Sequence, residues 1–94
     1  MSGHVFHEGH HALHGITVVL ATTGPVTYVG RFDTQDAAGV HLLDVAIHDA
    51  GDAAMSREDF LSRTLKFGVR AERKHLLVPS GEVASVLPLN TVGG

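Results

Sequence analysis

After Gly15 the chain alternates between apolar and polar positions with a period of two over most of its length, the signature of half-buried strands. Residues 16–21 form a short β-branched run closed by a turn cluster that contains Gly24 and Pro25. Val26, Tyr28, Gly30 and Phe32 then alternate with Thr27, Val29, Arg31 and Asp33, predicting a second strand. Beyond the small, turn-forming stretch 34–39, a longer run extends from Val40 to His48. It places Val40, Leu42, Asp44 and Ala46 on one face and His41, Leu43, Val45 and Ile47 on the other. Both faces are largely apolar, as expected of a strand in the middle of a strongly bent sheet. Residues 49–55 are small, acidic and turn-like. Ser56 followed by Asp59 fits a helix-capping pattern, so the segment reads as at most a short helical turn near 56–62, or as a loop holding the same residues. Leu65, Phe67, Val69 and Ala71 alternate with Lys66, Gly68 and Arg70, predicting a fourth strand. A fifth covers residues 75–79, stopped by Pro79, and residues 82–87 close the chain before Pro88. Five or six short strands with little helix predict an all-β small barrel.

Composition narrows the function classes. With 94 residues the chain holds one core, divided here into a leader (1–14) and a barrel domain (15–94). A domain this small leaves much of its surface in water, and self-association is a common remedy. The absence of cysteine removes disulfides, thiol catalysis and every cysteine-based zinc site. No apolar run reaches the length of a membrane span, and no basic region precedes an apolar stretch near the start. The expected setting is therefore the cytoplasm, with no membrane partner. A formal charge of −3 does not by itself suggest nucleic acid.

The stretch from Gly15 to Asp44 resembles the first signature block of the Sm-like (LSm) family. There a "V-x-V-x-L" strand precedes "Y-x-G-x-L", a loop aspartate and "N-L-x-L-D". The matching stretches run from Ile16 to Leu20 and from Tyr28 to Phe32, then Asp36, then from Val40 to Asp44. The family's second block, "I-R-G-x-x-I", is echoed between Val78 and Val83. In all, the resemblance covers roughly residues 13 to 89. It implies a five-stranded, strongly bent antiparallel small barrel of SH3 type, in which the fourth strand of one subunit pairs with the fifth of the next, closing a ring of about five to seven copies. On the strand assignment above, the edges concerned are 65–71 and 75–79. The resemblance also locates the family's RNA pocket. At its positions this chain carries Asp36, Ala38, Val40 and Pro79, so only the aspartate, which braces the loop, is kept. Alanine cannot stack a base, valine cannot hydrogen-bond one and proline carries no charge. The expectation is a non-enzymatic ring-forming scaffold or binding module, without a cofactor, whose usual RNA pocket is lost.

Two other constellations bear on function. Arg63, Lys66, Arg70, Arg73 and Lys74 are five of the seven cations, and a ring would repeat them as a positive rim. With Arg31 on another face, they are the candidate residues for RNA or single-stranded DNA, an alternative that predicts steep salt dependence. A solvated strand face interrupted by Glu72 explains the same residues. The leader places His4, His7, His10, His11 and His14 within reach of one another, and neutral imidazole is a good ligand for zinc, nickel or copper. A second alternative is therefore metal binding by His7, His10, His11 and His14. The run from His7 to His11 formally matches H-E-x-x-H, but Gly9 weakens a helix and no helical scaffold follows, so no metalloprotease is expected. His41, His48 and His75 fall on predicted strands and read as structural. No nucleophile elbow, phosphate-binding loop or dinucleotide fingerprint is present, and no enzymatic activity is expected.

Overall fold

The structure, a computed structural model, describes residues 13–51 and 54–92. Five antiparallel strands form one sheet: β1 (Thr17–Thr22), β2 (Val26–Gln35), β3 (Gly39–Asp49), β4 (Arg73–Pro79) and β5 (Val83–Pro88). Their order across the sheet is β4-β3-β2-β1-β5. An α-helix, α1 (Arg57–Phe67), lies between β3 and β4, and a single turn, α2 (Leu89–Val92), follows β5. A three-residue 3-10 turn, Ser80–Glu82, links β4 to β5. β4 and β5 are the two ends of the sheet and do not pair with each other, so the sheet is open.

Apolar residues on both faces of the central strands have a physical reason. Val18 and Leu20 join Phe32, Val40, Leu42, Val45 and Val78 in one cluster, whereas Val19 and Val29 join Leu61 and Leu89 in another. Since neighbouring side chains on a strand point to opposite faces, the sheet carries a core on each side. Helix α1 and the α2 turn cover the second.

The sheet bends where two bulges interrupt the β2–β3 ladder. Val29 faces Ala46 and Arg31 faces Leu43, so Asp44 and Val45 together oppose Gly30. Asp44 takes up the extra residue with φ 51°, and its carboxylate pairs with Arg31. This corrects the expected facing of β3: beyond Asp44 the core side continues through Val45 and Ile47, not Asp44 and Ala46. Gly30 is required at the bend, because a Cβ there would lie 3.0 Å from the Leu43 carbonyl oxygen and 3.1 Å from the Val45 side chain. A second shift places an extra residue in β2 between Phe32 and Thr34.

The expected fourth strand at 65–71 is replaced by the C-terminal part of α1 and an irregular segment. Instead of a short turn near 56–62, the helix has eleven residues. Its ends are chemically marked. The Ser56 hydroxyl accepts from Asp59 N–H at 3.1 Å, Glu58 and Asp59 sit in the first turn and Lys66 in the last. Gly68, at φ 89°, ends it by donating its N–H to Thr64 O. Phe60, Leu61 and Thr64 share the face turned to the sheet, while Phe67 is 81% exposed. The Ser56→Ala variant should lose about 1 kcal/mol of stability, read from the denaturant midpoint, with β-sheet content unchanged.

Candidate functional site

Three regions hold the residues that sequence reasoning singled out. At one end of the sheet the β2–β3 loop meets the β4–β5 turn: Gly39 faces Pro79, and Ser80 N–H donates to Ala38 O at 3.0 Å. The positions that the Sm-like resemblance assigns to an RNA pocket are thus partly gathered. Asp36, Ala38 and Pro79 are exposed there, but Val40 is 1% exposed and belongs to the first core. Asp36 braces the loop, the role that the resemblance implies for it. Its Oδ1 accepts from Ala38 N–H at 2.9 Å and from Gly39 N–H at 3.3 Å, while Oδ2 accepts from His41 Nε2–H at 3.1 Å. The His41 bond, helped by the two amides, holds the Asp36 carboxyl below its usual value against the opposing effect of desolvation.

The contact with His41 begins a chain that the sequence did not reveal. His41 Nε2–H is committed to Asp36, and His41 Nδ1 lies 3.2 Å from His75 Nε2 on β4. The two histidines are brought together by register, since His75 faces Leu43 and His41 faces Leu77. They lie in the stretches 39–49 and 73–79, and no short motif links them. Among the described residues, no group of three or more His, Asp or Glu side chains is placed to hold a metal ion. His4, His7, His10 and His11 of the leader lie outside the described residues. His14 is exposed and donates from Nδ1 to the Asp33 carbonyl at 2.6 Å.

The basic residues are distributed over three elements. Arg63 and Lys66 are on α1, Arg70 is on the segment after it, and Arg73 and Lys74 open β4; all five are exposed. Arg31 is engaged with Asp44. The intervening Glu72 is tied to β3: its Oε2 accepts from Ile47 N–H at 3.0 Å and its own N–H donates to Val45 O at 2.7 Å.

The third region is a cavity of about 670 Å³ between α1 and the end of β3. His48 forms part of its wall and is only 4% exposed. Its Nε2–H donates to the Met55 carbonyl at 2.8 Å, and its ring stacks on Phe60 with centroids 5.1 Å apart. Nδ1 is buried without a hydrogen-bond partner. Sequence reading treated His48 as a strand histidine, and only the packing of α1 shows what surrounds it.

No protein-family model matches the chain, and no curated protein matches it. Among the described residues, no helix is long and apolar enough to cross a membrane.

Proposed function

We propose that this chain is a non-enzymatic scaffold or binding module of the Sm-like small-barrel type, assembling into a homo-oligomeric ring by pairing β4 of one copy with β5 of the next. The supporting observation is the state of the two end strands. Among the described residues β4 is hydrogen-bonded as a strand only to β3, and β5 only to β1, so each offers an unpaired row of N–H and C=O groups. Both also expose a large apolar side chain, Leu77 at 38% on β4 and Leu87 at 50% on β5. Unlike edges that pair head-to-tail generate a closed ring when the rotation between copies permits. On this reading the edges are 73–79 and 83–88, in place of the pair expected from sequence patterning.

Native mass spectrometry of untagged protein, purified without nuclease, tests the reading. The expected result is a single closed species of about five to seven copies. A variant with Leu77→Lys and Leu87→Lys should be monomeric with an unchanged circular-dichroism spectrum, because both side chains are exposed. A wild-type monomer at micromolar concentration would end the proposal. Extra mass on the ring that ribonuclease removes would shift the function to nucleic acid held by Arg63, Lys66, Arg70, Arg73 and Lys74.

A further inference from the structure

We propose that the cavity between α1 and the end of β3 is a binding site for a small aromatic carboxylate, separate from both sheet edges. Its volume, about 670 Å³, falls in the range of sites that enclose a single small molecule. Ala46, Met55, Phe60 and Phe67 supply apolar and aromatic wall, and the Phe60 ring is already held in place by His48. A flat apolar body is the matching ligand shape.

The charges select its head group. Arg63 and Arg70 line the same cavity, one from α1 and one from the segment after it, and neither makes an ion pair among the described residues. The two carboxylates on the lining, Asp49 and Glu72, are each tied to backbone. Asp49 Oδ1 accepts from Gly51 N–H at 2.9 Å and Glu72 Oε2 from Ile47 N–H at 3.0 Å. Among the described residues neither guanidinium lies within salt-bridge distance of these carboxylates, and planar guanidinium pairs with an added carboxylate through parallel hydrogen bonds.

The test uses the full chain, 2-naphthoate as probe and 2-naphthamide as its uncharged analogue, read by titration of amide resonances. The expected result is saturable shifts at Ala46, Phe60 and Thr64, with the amide binding about tenfold more weakly. Arg63→Gln together with Arg70→Gln should weaken 2-naphthoate by about tenfold and leave the amide unaffected. Both side chains are exposed, so the variant keeps its fold, which its unperturbed spectrum verifies. Equal binding of the two probes, insensitivity to the arginine variant, or shifts confined to other residues would each overturn the proposal. So would an absence of saturable shifts up to the probe's solubility. If the same resonances move on dilution without probe, a second copy covers the cavity and the proposal likewise fails.

Discussion

Gly39→Ala should remove about 3–4 kcal/mol of stability, a large part of what a small domain possesses. Gly39 opens β3 with φ 152°, a conformation that L side chains rarely adopt. A Cβ built there would stand 2.0 Å from the Val78 carbonyl oxygen and 2.9 Å from Ser80 N. Those are backbone atoms of β4 and the turn after it, so no rotamer change relieves the clash. Either the β3–β4 ladder opens at Gly39 and Pro79, or the loop braced by Asp36 moves. Urea denaturation measures the loss, and Gly81→Ala serves as the control. Gly81 lies in the neighbouring turn with nothing within 4 Å of a Cβ, so its substitution should change the midpoint little. Similar midpoints for the two variants would contradict the β3–β4 register.

Phe32→Ala should cost about 3–5 kcal/mol, whereas Phe67→Ala should cost less than about 0.5 kcal/mol. Phe32 is 1% exposed in the first core, among Val18, Leu20, Val40 and Leu42, and its removal leaves a void that a sheet anchored by ladder bonds cannot close. Phe67 ends α1 at the open rim of the cavity and is 81% exposed, so its removal leaves no buried void. Both phenylalanines sit in stretches that alternate apolar with polar, and only their neighbours separate them. Comparable losses at the two positions would show that α1 packs with Phe67 inward, as the expected strand at 65–71 required.

That pair of residues also shows where the sequence was readable. β1, β2 and β3 lie close to where period-two patterning placed them, and β3, apolar on both faces, lies inside the sheet between β2 and β4. The bulge at Asp44 was hidden, because one extra residue reverses the facing of everything after it and no residue type announces it. The start of α1 was legible in Ser56 and Asp59. Its end was legible too, in Lys66 and Gly68, but the alternation from Leu65 to Ala71 outweighed those signals. A helix and a strand can both place residues two apart in apolar positions when the window is short. The candidate sites were less accessible. Arg63 and Arg70 stood out as part of a charge cluster, yet their common cavity exists only because α1 lies across the end of β3. The bond between His41 and His75 depends on strand register alone.

The strand order has a consequence for how the chain is completed during synthesis. β1 finds one neighbour in β2 at once, but its other neighbour is β5, more than sixty residues further along the chain. Until Val83–Pro88 leaves the ribosome, the β1 edge that will pair with Leu87 and Val86 stays open, and Leu20 lacks the side chains of Val83 and Val86 against the core it belongs to. Closing a contact between distant chain segments is slow and leaves unpaired edges exposed in the meantime. The meander β1–β2–β3 can pair before β5 is available, and docking of Val83–Pro88 onto β1 is what closes the first core.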